Sequence, residues 1–387
     1  MKRSALIFLY LGTVVTLGAC IFYFGWGRTF SAIFVPPLSP RFADMRFIQG
    51  AVISAKQGLD PYILNPNDVW GRLLNYPPIW LKFGQAINLP DESRFIQFSI
   101  LTVLCFVGSC AYTLYRFPSF GVLACLLSTA TLMGIERANT DLIIYPLVFA
   151  FALVIPKKLS PVPILVATAL KLYPIFALVV LLIKRQFRLF FLSLIIASAV
   201  FADLWNELAA IRSNTPMTFN SYGLPTLAAN TAFLLSLNLP SWVFLGCWAA
   251  VICSTIFVTA LYLTKMEGIL RNEGALGLNL FVVGASIYVG TFIFSSNHDY
   301  RLMFLIMCVP FIETKRFPLS GLLVFLIILA MNQLVLIHLG GTGIAINWFA
   351  KIAIFIVLSA YLVILVLAVF ERRDDASKVP VVTKGLF

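Results

Sequence analysis

The sequence predicts an all-α, polytopic membrane protein of about twelve transmembrane helices, some of them short or broken. Composition and patterning carry that prediction. The chain has 387 residues, 60% hydrophobic and only 11% charged, and its mean hydropathy is +0.95, a balance foreign to soluble domains. Its apolar residues fall in successive runs, at roughly 5–24, 95–114, 118–133, 141–155, 162–172, 173–183, 188–204, 241–264, 275–294, 301–312, 317–337 and 345–370. A helix crosses a bilayer with about 20 apolar residues. The runs 162–172, 173–183 and 301–312 are too short to cross upright, and read as tilted or broken helices buried among neighbours.

Lys and Arg then set the orientation. With Lys2 and Arg3 inside, the clusters Arg116, Lys157–Lys158, Lys184–Arg185 with Arg188, Lys265 and Arg271, Lys315–Arg316, Arg372–Arg373, Lys378 and Lys384 all fall inside. Those are sixteen of the 28 basic residues, and the inner side carries most of the net charge of +12, as the positive-inside rule requires. Merging 162–183 into one span would break the alternation, so two short helices are expected there. The expected placement is a multi-pass protein of the cell (inner) membrane with both termini cytoplasmic. Met1-Lys2-Arg3 before an apolar run also resembles a signal peptide. That run continues past Cys20 to Phe24, which favours an uncleaved first span. The basic balance follows from the inside bias and gives no reason to expect nucleic acid. The seven cysteines lie in apolar runs and read as small apolar side chains, with neither a disulfide framework nor a metal site expected. No Asn-x-Ser/Thr sequon occurs, which favours a bacterial envelope.

Residues 1–370 read as one transmembrane domain and 371–387 as a charged inner tail. Two large loops lie on the outer side, 25–94 and 205–240. Ser39 before Pro40 marks a helix start, and 40–57 runs as a helix ending at Gly58. Phe42, Met45, Ile48 or Gln49, and Val52 form a stripe that suits the membrane interface, with Asp44, Arg46 and Lys56 largely off it. Tyr76-Pro77-Pro78-Ile79-Trp80 opens a second interfacial helix, and the loop at 205–240 holds Asn220-Ser221-Tyr222-Gly223. Three further polar clusters sit at outer helix ends: Glu136-Arg137-Ala138-Asn139-Thr140-Asp141, Lys171-Leu172-Tyr173-Pro174, and Asn297-His298-Asp299-Tyr300-Arg301. His338 and Asn347 flank the last outer turn. Cations held on the disfavoured side at membrane depth are costly unless they hold an anion.

Asp44 followed by Gly58-x-x-Pro61-Tyr62 and Tyr76-Pro77-Pro78, then Glu136-Arg137-x-Asn139-x-Asp141, Lys171-x-Tyr173-Pro174 and Asp299-Tyr300-Arg301, resembles the polyprenyl-phosphate-sugar-dependent glycosyltransferases of the GT-C superfamily. The GT87 group of mannosyltransferases is the nearest. The resemblance runs from about residue 40 to 305, with Ala138 where the group's turn has Gly. It implies a GT-C-like fold with an outward-facing site and a hexose, most simply mannose, as the transferred sugar. The donor would be a polyprenyl phosphate and the acceptor a lipid or glycan hydroxyl at the outer face, with membrane lipids around the chain. No cofactor is implied, the lipid-linked sugar phosphate being a substrate.

The chemistry agrees with the resemblance. A departing phosphate needs fixed cationic donors, and the acceptor hydroxyl needs one base, whereas a glycoside hydrolase uses two carboxylates. One base without a covalent nucleophile implies inversion. Asp44 is the candidate base, or else an interfacial residue paired with Arg41 or Arg46. Lys171, Arg301, Arg137 and His298 are candidate donors to the phosphate. Arg301 could instead pair with Asp299 or Asp141, Arg137 with Glu136, and His298 could be structural. Asn139, Asp141, Tyr173, Tyr300 and Tyr62 are candidate sugar or acceptor contacts, although Asn139 could simply satisfy backbone groups in its turn. Tyr62, Tyr76 and Trp80 read most simply as interfacial aromatics. Asp44, Asp60 and Asp68 are too widely spaced for a compact metal motif unless folding unites them. Two rival classes remain: a transporter or flippase of lipid-linked saccharides, for which no internal repeat is found, and a polyprenyl-pyrophosphate glycan ligase, for whose second phosphate Arg41, Arg46 and Lys56 leave room.

Overall fold

The computed structural model of the protein describes residues 3–155, 158–215, 221–226, 241–263, 275–313 and 320–376. Lys157, Asn220, much of the second loop, Lys265, Arg271, Lys315, Arg316, Lys378 and Lys384 lie outside the described residues. The first stretch holds α1 (Arg3–Phe24), α2 (Trp26–Ala32), α3 (Ala43–Lys56), α4 (Ile79–Ala86) and α5 (Glu92–Arg116). Next come α6 (Phe120–Leu126), α7 (Thr129–Glu136), α8 (Asp141–Val154) and α9 (Pro161–Leu170). A 3₁₀ segment, Tyr173–Leu178, leads into α10 (Val179–Ile183), α11 (Phe187–Asp203) and α12 (Trp205–Ser213). The C-terminal part comprises α13 (Ser241–Leu263), α14 (Ala275–Phe294), a 3₁₀ segment Asp299–Met307, α15 (Val309–Ile312), α16 (Ser320–Met331), α17 (Gln333–Leu336) and the long α18 (Gly340–Ala376).

Among the described residues, four stretches are long and apolar enough to cross a membrane: Arg3–Phe24, Glu92–Arg116, Leu276–Phe294 and Gln333–Val369. The pair α11 and α12, bent by 76°, makes a fifth if read as one span. The runs expected to be short are short, but so are 141–154 and 320–331. The run expected over 118–133 is two helices. Ser128 divides it, because its side chain caps a new helix by accepting from the Thr131 amide. Cys20, Cys105, Cys110, Cys125, Cys253 and Cys308 are free thiols.

Among the described residues the apolar faces build two cores. The larger joins α5 to α10, α14 and the Asp299–Met307 segment to α18. The smaller gathers Met45, Ile48 and Val52 of α3 with Leu74, Trp80, Leu89, Phe95 and Ala138. This second core corrects the expectation for α3. Its stripe faces protein rather than a lipid interface, because α4, the start of α5 and the 59–78 loop close over it. Tyr76 and Trp80 are buried too, and Trp80 Nε1 donates to the Leu170 carbonyl at 2.9 Å. Trp80 is therefore a packing residue, since a ring enclosed by α3 and α9 has no access to head groups, and Tyr76, whose ring packs on Phe47, is no interfacial aromatic either. One short ribbon is added that the periodicity did not show: Ser221–Tyr222 (β1) pairs antiparallel with Asn297–His298 (β2).

The α3–loop contact depends on Gly50. A Cβ there would meet Asn67 O at 2.6 Å and Asp68 N at 2.8 Å, both backbone atoms. Gly50→Ala should therefore push the 65–72 loop outward and lower stability by about 1–3 kcal/mol. Gly12→Ala, whose added carbon meets nothing within 4 Å, should stay within about 0.5 kcal/mol. Thermal unfolding of the detergent-purified variants checks this, and equal midpoints for the two would refute the close approach.

Candidate functional site

Two of the polar clusters singled out in the sequence, 171–174 and 297–301, supply walls of one cleft, and Asn139 and Asp141 of a third are bonded to them. Asp141 opens α8, Lys171 follows the last residue of α9, and Arg301 lies in the Asp299–Met307 segment. Each therefore stands at a helix end or in an irregular turn, where the chain changes direction and side chains from different helices can meet. Asp141 is fully buried, and one of its oxygens accepts from both Lys171 Nζ and the Tyr173 hydroxyl, the latter at 2.8 Å. Its other oxygen pairs with Arg301 Nε at 3.3 Å. A single carboxylate thus serves two enclosed cations.

Arg301 is fixed from other sides as well. Its Nη1 donates to Asn297 Oδ1, and its guanidinium lies 4.3 Å from the Tyr173 ring centre. Asn297 is anchored in turn to the carbonyls of Thr291 and Ser295, at 2.7 and 2.9 Å. The ribbon that holds Asn297 requires Gly223. At φ 127° that residue passes so close to Ser295 O that no Cβ would fit.

Asn139 links this group to Asp44. Its Nδ2 donates to Asp44 Oδ2 at 2.5 Å, and its Oδ1 accepts from the Asp141 amide at 2.8 Å and from Lys171 Nζ at 3.4 Å. The Asp44 amide donates to the Arg137 carbonyl at 3.0 Å. The turn that makes this join is strained. Ala138, standing where Gly was expected, has φ 44°, and Phe42, just before α3, has φ 62°. A left-handed non-glycine residue costs about 1–2 kcal/mol, and such strain tends to be kept where side-chain geometry matters. The other Asp44 oxygen meets Arg72 Nη1 at 3.3 Å. Arg72 is also bound by Asp68, to which Nη2 donates at 3.0 Å. Folding does bring Asp44 and Asp68 together, with a guanidinium between them. Burial opposes the Arg72 charge, but the Asp68 hydrogen bond and the Asp44 and Asp68 charges outweigh it and hold its pKa above the ordinary value.

The cleft itself is about 180 Å³, and Tyr76, Lys171, Tyr173, His298, Tyr300 and Arg301 are among its walls. His298 stacks on Tyr300 with ring centres 5.4 Å apart. Burial first, then the Arg137 charge, push its pKa from 6.5 down to about 4. At neutral pH it offers one N–H donor and no charge.

Several expected roles change with these positions. Asn139 and Asp141 are wholly enclosed with their polar atoms engaged, so they organise the cleft and have no surface to give a sugar. The Tyr173 hydroxyl is taken by Asp141. Tyr62 is outside the cleft walls, its hydroxyl donating to the Tyr76 carbonyl at 2.7 Å. It braces the loop. Arg137 is outside them too, its Nε 3.8 Å from Glu136 Oε2. Glu136 is occupied by Trp26 Nε1 and the Leu38 amide. Asp44 is 7% exposed and lies beside the cleft rather than in its walls. Arg72 was not singled out for the site, whereas Asn297 stood in one of the outer clusters and Tyr76 in a motif, read most simply as an interfacial aromatic. Arg72 stood in the sequence only as one cation of a long loop, with no motif to distinguish it.

Comparison with protein-family models, with curated proteins and with solved structures returned no match.

Two measurements test the geometry. Asp141→Asn leaves two enclosed cations without their counter-charge and should lower stability by about 3–5 kcal/mol. Lys171→Met keeps the Arg301 pair and should cost clearly less in the same unfolding assay, and the reverse order would refute the shared carboxylate. His298, with its folded pKa below its unfolded one, binds fewer protons when folded, so its contribution is present above pH 6.5 and is lost as pH falls towards 4. His298→Gln should flatten stability across that window, and an unchanged pH profile would place the titrating group elsewhere.

Proposed function

We propose that the protein is an integral membrane glycosyltransferase of GT-C-like fold and about twelve spans, as its resemblance to the GT87 group implies. It moves a hexose, mannose by that resemblance, from a polyprenyl phosphate to an acceptor hydroxyl at the outer or periplasmic face. The observation that carries this reading is the pair of enclosed cations, Lys171 and Arg301, sharing Asp141 at a cleft. Both cations line the cleft while the carboxylate they share is enclosed behind them and, among the described residues, no Asp or Glu is in the cleft walls, so the cleft presents a cationic surface that suits an anion. A phosphate on a lipid is such an anion.

In this reading the acceptor oxygen attacks the anomeric carbon while Asp44 takes the hydroxyl proton. The bond from that carbon to the phosphate oxygen breaks, its electron pair leaves with the phosphate, and configuration inverts. Lys171 and Arg301 receive the growing phosphate charge by charge-assisted hydrogen bonds, and neutral His298 can add one more. Asn139 holds the base in line with the cations by touching both Asp44 and Lys171. Asp44 already accepts from Asn139 and Arg72, and a carboxylate has about four acceptor sites, which leaves room for the acceptor hydroxyl. Tyr76 and Tyr300 supply flat walls for a sugar ring. The ligase alternative loses support from Arg46, which is bound by Glu92 through two hydrogen bonds of 2.6 and 3.1 Å and is not free for a second phosphate.

Purified protein given radiolabelled polyprenyl-phosphate mannose and a membrane-lipid extract should transfer label. Asp44→Asn should lower the rate at least about a hundredfold, and Lys171→Met should lower kcat/KM for the donor by at least about tenfold. If wild type transfers nothing and the donor does not raise its melting temperature, the transferase reading fails in favour of transport.

A further inference from the structure

A second enclosed ion pair lies two residues from Arg301, outside the cleft. Lys351, within the long Gly340–Ala376 helix, is fully buried. Its Nζ donates to Asp299 Oδ1 at 2.7 Å and to Gln333 Oε1 at 2.5 Å. Asp299 is itself enclosed, and it begins the 3₁₀ segment that carries Tyr300 and Arg301. Hydrophobic residues of the same size would fill this space with no desolvation penalty, so the pair is a poor source of stability. It is, however, a strong constraint on position, because each charge tolerates only the placement that meets its partner.

The same helix reaches Arg301 by a second route. The Lys351 carbonyl accepts from the Tyr288 hydroxyl at 2.7 Å, and the Tyr288 ring stacks on Tyr222 at 5.3 Å. Tyr222 pairs through its backbone with Asn297. Asn297 Oδ1 then accepts from Arg301. One residue of the C-terminal helix is thus tied to both ends of the turn that aims the guanidinium.

We infer that Lys351 is a positioning residue for Arg301: its ion pair with Asp299 sets the start of the 3₁₀ segment and so the place where Arg301 meets Asp141 and the donor phosphate. This inference rests on the phosphate-binding reading of Arg301. It gives the C-terminal helix, which lies beyond the motifs, a part in donor binding.

The test is a mutant cycle read as binding of undecaprenyl phosphate, measured from the shift in melting temperature with ligand concentration in detergent. Arg301→Ala should weaken binding about tenfold, and so should the charge-balanced double variant Lys351→Met with Asp299→Asn. The variant combining all three should bind no more weakly than Arg301→Ala alone, a non-additivity that general loosening of the fold would not produce. Should the double variant not fold, Lys351→Arg, which keeps the charge and moves it, enters the same cycle. Wild-type affinity in the Lys351 variants, or additive losses in the combination, would overturn the positioning role and leave the phosphate reading standing. Wild-type affinity in Arg301→Ala would overturn both.

Discussion

Asp141 shared between Lys171 and Arg301 is the contact on which the rest of the arrangement depends. In a chain so apolar, a charge has few places to go, and each enclosed cation must find an anion or a polar partner. Here three stretches distant in sequence, the start of α8, the break after α9 and the turn after α14, meet on one carboxylate. That meeting fixes why those helices stop where they do. A continuous helix through Lys171 would keep its backbone bonded internally, but could not turn Lys171 and Tyr173 together towards Asp141.

Asp44 is joined to the same group by Asn139, and that join is made under local strain. Ala138 and Phe42 are both held in left-handed backbone conformations on either side of it. Their neighbours are the well-packed second core and the bond from the Asp44 amide to the Arg137 carbonyl. Packing of α3 against α4 and the 59–78 loop therefore carries the Asp44 carboxylate to the cations. Arg72 and Asp68 close the other side of Asp44, so its carboxylate is enclosed by partners while the cleft opens past Tyr76 and His298.

The polar clusters were readable because they interrupt long apolar runs. The shortness of 162–172, 173–183 and 301–312 was readable from length alone, and these became helices and 3₁₀ segments broken at the expected places. The split at Ser128 was less visible, since Ser is tolerated inside apolar helices and only its capping bond reveals the break. The stripe on α3 was seen correctly as a hydrophobic face. Its partner was not, because periodicity tells which face is apolar and not whether lipid or protein covers it. Tyr76 and Trp80 were misplaced for the same reason. Arg72 and Lys351 had no local signature. Their meaning comes from Asp44 and Asp299, which are far from them in sequence.

Sequence by itself determined that this chain is helical and apolar enough to enter a membrane, and which few polar residues had to be accounted for. Composition and run length suffice for that, because the bilayer imposes a simple requirement on any helix that crosses it. Tertiary structure decided the pairing: that Lys171 and Arg301 share one anion, that Asn139 holds Asp44, and that Lys351 takes Asp299. Charges separated by tens or hundreds of residues choose partners by the geometry of packed helices, and no spacing along the chain encodes that choice.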